Sequence, residues 1–214
     1  LVLPLYCDVD TPAPVLADKS NAILHQLFQI KFPNCPHMPT INASYILGSD
    51  FSKFSLIDVP GDGNCGISAV LVASGQMVED FSISDDGHLS LTSEQREQMM
   101  ELRRRTTHCI PSSHARSVEI STRLIREGSW VDGEDFAFIA RAIQQPIVLI
   151  QAATEGSLPY TMTRFTIEGN EEILTDQTPE QLLTNNPRTL FIYFNGVNHF
   201  QALKRNNKSK CLLQ

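Results

Sequence analysis

Asp58-Val59-Pro60-Gly61-Asp62-Gly63-Asn64-Cys65 is the stretch on which the reading of this chain turns. It joins a strand-like run over 54–59 to an apolar helical pattern beginning near Cys65, with Ile67, Val70, Leu71 and Ser74 on one stripe. A helix so placed buries one face and offers the thiol its first turn. Unpaired N–H groups and the positive end of the helix dipole meet there, and both favour a thiolate. Gly61 and Gly63 let the loop fold tightly, which brings backbone N–H groups near a substrate carbonyl. The N–H groups of Asp62, Gly63 and Cys65 are the candidates for an oxyanion hole. Asp62 and Asn64 can turn their side chains onto local backbone, so Asp62 reads as a loop-fixing residue, a direct participant, or both.

The rest of the chain bounds what that loop can serve. Its 214 residues suffice for one domain with a sizeable core and a small appendage. A net charge of −7 argues against a nucleic-acid partner. No apolar run is long enough to span a bilayer, and no signal peptide is visible. The opening residue is Leu1 rather than Met, as expected of a piece of a longer chain. Five cysteines, at 7, 35, 65, 109 and 211, form no CxxC pair, which fits free thiols in a reducing compartment. Cys35-Pro36-His37 and His108-Cys109 lack partners at metal-ligand spacing, so no metal is expected.

The N-terminal region reads as an appendage over 1–48. It is Pro-rich at first, then carries an amphipathic helix over 16–31 (Ile23, Leu24, Leu27 and Ile30 on one face) and a Pro-rich loop over 32–42. The main domain runs over 49–205, and 206–214 is a polar tail. Within the domain, 78–91 reads as loop, and Thr92-x-x-Gln95 is a capping box for a helix to about 107. A further helix lies near 114–126. Asp132 can cap a helix carrying Phe136, Ile139, Ala140 and Ile143. Strands follow over 146–150 and 161–167, and 169–188 then reads as a loop or a short helix around 179–184. A central strand over 189–194, apolar on both faces, precedes a last strand over 197–203. Helices first and strands later, around one core, make the fold class α+β in a three-layer α/β/α-like arrangement.

A thiolate needs a proton acceptor, and later a donor for the leaving amine; histidine suits both roles. Of six histidines, His199 alone falls on a strand pattern beside a buried strand. Gly61-Asp62-Gly63-Asn64-Cys65, the Trp130…Asp135-Phe136…Ile139-Ala140…Pro146-Ile147-Val148 segment, and Asn198-His199-Phe200-Gln201-Ala202-Leu203 together resemble the three signature blocks of the ovarian-tumour (OTU) family of cysteine proteases, in order and spacing, over roughly 51–205. The resemblance implies a papain-like fold with a small central β-sheet flanked by helices, and no cofactor. It implies a thiol protease of the deubiquitinase type, acting on ubiquitin or polyubiquitin, with Cys65 as nucleophile, His199 as general base and acid, and Asp62 as the aspartate before the cysteine.

The chain departs from the family pattern in two ways. Gln201 stands where an imidazole-orienting Asp or Asn is usual. Its amide oxygen could accept the imidazole N–H from the same strand face, Asn198 points to the opposite face unless the strand bends, and an upstream acid could also serve. Gly66 and Ser68 replace bulkier residues after the cysteine, and Gly66 leaves room near the nucleophile. Trp130 is core or cleft wall. Glu134 and Asp135 suit a helix start or the arginines of a ubiquitin tail, and Arg103-Arg104-Arg105 reads as a solvated helix face. The alternatives to an active deubiquitinase are a ubiquitin-binding pseudoenzyme and a cysteine protease for another ubiquitin-like modifier. The appendage could enlarge the ubiquitin-binding surface. Free thiols point to action in the cytoplasm, including a host cell's if the source is viral or bacterial.

Overall fold

A computed structural model describes residues 41–83, 88–152, 160–196 and 198–206. In chain order they form β1 (Ile41–Asn42), α1 (Ser44–Leu47), β2 (Phe54–Ile57), α2 (Cys65–Ala73), β3 (Ser82–Ile83), β4 (Leu89–Ser90), α3 (Ser93–Thr107), α4 (Ser117–Ile125) and α5 (Asp135–Ile143). There follow β5 (Ile147–Ala152), β6 (Tyr160–Phe165), β7 (Glu171–Leu174), α6 (Pro179–Asn185), β8 (Leu190–Phe194) and β9 (Phe200–Arg205). Among the described residues one sheet holds seven strands in the order β1-β2-β9-β8-β5-β6-β7, while β3 and β4 form a separate pair. Within the seven-stranded sheet β5 and β8 run parallel and the other neighbours antiparallel. Mixed helices and a mixed sheet match the expected fold class.

Both faces of the sheet are covered, so the expectation of a single core gives way to two apolar clusters. Along β8, Leu190 and Ile192 enter one cluster with Ile147, Phe200, Ala202 and helices α2, α3, α4 and α5. Phe191 and Tyr193 enter the other with Val148, Ile150, Leu203, α1 and α6. A strand apolar at every position has to be covered on both sides, and β8 is therefore central. Helix α2 packs on β8, β9 and α3, and Cys65 through Val72 are all buried. The single buried stripe expected of it is thus too narrow; a helix apolar all round lies inside.

The described start of the chain belongs to this fold. Ile41 pairs with Leu56, and Ala43 and Leu47 are buried in the second cluster. Residues 41–48, read as the end of an appendage, are thus integral to the sheet, because their apolar side chains find a buried surface there. The helix expected over 16–31 and the loop up to 40 lie outside the described residues. So does the tail beyond Asn206, whose backbone N–H donates to the Lys53 carbonyl at 2.7 Å.

The capping box is made as expected. The Gln95 N–H donates to Thr92 Oγ1 at 3.2 Å, and the Thr92 N–H to Gln95 Oε1 at 2.9 Å. Gln95 Nε2 also donates to the carbonyls of Val78 and Asp80, which ties the connection after α2 to the start of α3. Thr92→Ala is expected to cost about 1 kcal/mol, read as a lower urea midpoint at unchanged slope. A second capping box, Thr178 with Gln181, starts α6, and β7 occupies part of what read as loop. The α5 start differs from expectation: Glu134 holds the cap position without a side-chain bond, and the Asp132 backbone N–H donates to Asp135 Oδ2 at 2.7 Å. Among the described residues no helix is long and apolar enough to cross a membrane.

Candidate active site

The pairing of β2 with β9 assembles the site. Ile57 lies opposite Ala202, so one residue further Asp58 comes opposite Gln201 and diagonal to His199. Asp58 Oδ1 accepts from His199 Nε2 at 2.7 Å, from Gln201 Nε2 at 3.1 Å and from the Val59 N–H at 3.1 Å. The orienting group is thus the upstream acid Asp58. Gln201 donates to that carboxylate rather than accepting from the imidazole, because a carboxylate is the better acceptor for both. Asn198 is exposed and takes no part in orienting the ring. Its Oδ1 accepts from Asn195 Nδ2, and Asn195 Oδ1 accepts the N–H groups of Asn198 and His199 at 2.9 and 3.0 Å. His199 itself sits one residue before β9, on that turn, rather than within the strand.

With Nε2 engaged by Asp58, Nδ1 is the ring nitrogen left for the thiol of Cys65, which lies near enough to the imidazole to raise its pKa. Cys65 is the first residue of α2, and its N–H has no partner within the helix. Gly61 lies under the imidazole, its missing Cβ 3.8 Å from Nδ1 and Cε1. Burial alone would lower the pKa of His199, but the hydrogen bond to Asp58 and the nearness of Cys65, with the charges of both, raise it to about 9. Burial pushes the Asp58 carboxyl up, yet the hydrogen bond and charge of His199, with Gln201 and the Val59 N–H, leave it below its ordinary value.

The loop between Asp58 and Cys65 is held from two sides. Asp62 Oδ1 accepts the Asn64 N–H at 3.0 Å, a loop-fixing contact, and the side chain is otherwise exposed. Gly63 adopts φ +83°, and a Cβ there would stand 2.0 Å from the Gly128 carbonyl oxygen. Asn64 is buried, and its Oδ1 accepts the Gly128 N–H at 3.0 Å. The room expected beside Gly66 is filled: a Cβ there would meet Val131 Cγ2 at 2.1 Å and Phe200 at 3.4 Å.

Arg103 overturns the reading of a solvated basic face. It is 0% exposed and donates to Asn64 Oδ1 at 2.9 Å, Ser129 O at 2.6 Å, Leu124 O at 3.2 Å and Gly63 O at 3.3 Å. Arg104 and Arg105 are exposed as expected. A signal was present: Met99, Leu102, Arg103 and Thr106 follow the i, i+3, i+4, i+7 spacing of the buried side of α3. Asp135 is also 0% exposed, gripped by Arg123 through two hydrogen bonds of 2.7 and 3.0 Å, and Glu134 pairs with Arg116. Burial pushes the Asp135 carboxyl up, against the lowering effects of the Asp132 N–H and Arg123. Both acids are therefore engaged within the chain. Trp130 is 39% exposed, lies 6.3 Å from the Phe200 ring, and walls a groove of about 650 Å³ lined also by Arg123, Arg126 and Gly128.

No protein-family model matches the chain, and none of the curated proteins matches it. Among solved structures it is similar to an OTU deubiquitinase from Wolbachia pipientis, at 13% identity over 74% of this chain and 93% of that one, with a TM-score of 0.49. It is similar to the OTU of Hazara virus, solved bound to ubiquitin, at 16% identity over 73% and 84%, with a TM-score of 0.46. The viral OTU domain protease from Farallon virus is 19% identical over 71% and 84%, with a TM-score of 0.42. All three neighbours are OTU domains.

The Asp58–His199 pair makes stability depend on pH in a stated direction. The folded pKa of His199 lies above its ordinary 6.5, so its contribution is complete below pH 6.5 and is lost as pH rises towards about 9. Asp58 is lowered, so its contribution is present above pH 3.8 and is lost as pH falls further. Unfolding free energy is expected to drop by at most about 3 kcal/mol between pH 6.5 and 9 in the wild type relative to His199→Gln, read from urea titrations at the two pH values.

Proposed function

We propose that this chain is a cysteine-type deubiquitinase that hydrolyses the isopeptide or peptide bond after the C-terminal glycine of ubiquitin. The observation that carries the reading is the hydrogen bond of 2.7 Å from His199 to Asp58, on an imidazole whose pKa Cys65 also raises. Cys65 Sγ, its proton already held by His199, attacks the glycine carbonyl carbon. The carbonyl oxygen becomes an oxyanion facing the N–H groups of Asp62, Gly63 and Cys65. The intermediate collapses to a thioester as His199 protonates the departing amine. Water, deprotonated by His199, then attacks the thioester and releases ubiquitin and the thiol. Asp58 holds the ring and stabilises the imidazolium. Asp62 serves by fixing the loop.

Ubiquitin as the modifier rests on the sequence resemblance of the three blocks. The pseudoenzyme reading drew on Gln201 failing to orient His199; the Asp58 carboxylate accepting from the imidazole weighs against it. No metal or organic cofactor enters the scheme. Free thiols at Cys65 and Cys109 fit action in a reducing cytoplasm.

The test is reaction with ubiquitin carrying a C-terminal electrophile, beside ubiquitin-like modifiers armed in the same way. Labelling of the wild type by the ubiquitin probe, absent in Cys65→Ala, is the expected outcome. A folded wild type that takes only another modifier's probe would change the substrate, and one that takes none would overturn the proposal.

A further inference from the structure

We infer that Arg103 is a positioning residue of the nucleophile loop, whose buried guanidinium locks the Gly63–Asn64 peptide so that the N–H groups around Cys65 keep facing an oxyanion. The inference rests on the reading of Cys65 as nucleophile.

A buried cation is costly unless its donors are all used. Arg103 is 0% exposed, and its partners are Met99 Sδ, three backbone carbonyls and the Asn64 side-chain oxygen; none is a carboxylate. Apolar packing would stabilise such a position at least as well. What the guanidinium adds is direction: its planar fork bonds several acceptors at fixed angles. Those acceptors come from two separate segments, Gly63 and Asn64 on the loop, Leu124 and Ser129 beside it.

The Gly63 carbonyl and the Asn64 N–H belong to one rigid peptide plane. The carbonyl faces Arg103 at 3.3 Å, and the N–H faces Asp62 Oδ1 at 3.0 Å. Both ends of the plane are therefore anchored. A flip would swing the carbonyl oxygen away from Arg103 and reorient the donors beside Cys65. Asn64 Oδ1 adds a second tie, shared between Arg103 and the Gly128 N–H.

Arg103→Lys and Asn64→Ala, singly and together, test this. Each is expected to lower kcat for a ubiquitin amide by about tenfold or more with KM within about threefold, because donor geometry acts in the transition state. The double variant should stay close to the weaker single one, since both changes break the same tie. Alkylation of Cys65 by iodoacetamide forms no oxyanion and should change less than about threefold. Full turnover by a folded Arg103→Lys, or turnover and alkylation falling together, would overturn the inference. If Arg103→Lys does not fold, Asn64→Ala carries the same comparison. A wild type inactive on ubiquitin would sink the proposed function alone. The positioning role is then read from amide resonances, where Arg103→Lys should shift Gly63, Asn64 and Gly128 and leave the distant sheet in place. No shift at those three would refute it.

Discussion

Asp58→Ala is expected to lower kcat for a ubiquitin amide by about 10²–10³-fold while KM stays nearly constant. The carboxylate does two things at once. Its Oδ1 holds His199 Nε2 at 2.7 Å, which fixes the ring with Nδ1 towards the thiol. Its charge, with that of Cys65, keeps the imidazolium stable up to about pH 9. Alanine removes both effects, whereas Asp58→Asn keeps an acceptor and removes the charge, so its loss should be smaller. In both variants the His199 resonances should titrate at lower pH than in the wild type while the amide resonances of the sheet keep their folded positions, which separates the effect from a loss of fold. Gln201→Ala should cost less than about tenfold, because Gln201 reaches the imidazole only through the carboxylate. An Asp58→Ala enzyme with wild-type kcat would remove the carboxylate from the mechanism.

Gly63→Ala should be the most damaging small substitution in the loop, lowering unfolding free energy by about 2–5 kcal/mol. Two causes add. The backbone at φ +83° is one that side-chain-bearing residues adopt only at a cost. The new Cβ would also stand 2.0 Å from the Gly128 carbonyl oxygen, a backbone atom that cannot rotate away. Either the loop or the segment around Gly128 must move, and the Asn64–Gly128 and Arg103 bonds span that same contact. Turnover should fall with stability, and urea unfolding beside single-turnover kinetics would measure both. Gly75→Ala is the contrast: Gly75 also has a positive φ, of +74°, but nothing lies within 4 Å of its missing Cβ, so only the conformational cost remains. Equal effects at the two glycines would show that the close approach to Gly128 is relaxed in solution.

What the amino-acid order alone determined is local. The capping box at Thr92 and Gln95, the helix that begins at Cys65, and the doubly apolar strand over 190–194 all depend on residues a few positions apart. So does Cys65's place on the first turn of its helix. The orienting carboxylate was not legible in that way. Asp58 reads as a polar residue near the end of a strand-like run, and it meets His199 only because β2 pairs with β9 in a register that puts Ile57 opposite Ala202. Such a register is set by packing across the whole sheet, which no local pattern contains. Arg103 shows a different limit. Its spacing on α3 matched the buried side, but its charge argued for solvent, and the cost of burial is met only by carbonyls that the folded chain brings from residues 63, 124 and 129. The sequence thus determined which residues carry the thiol and the imidazole. The tertiary structure decided what orients the one and what holds the loop around the other, because both depend on hydrogen bonds between segments far apart in the chain.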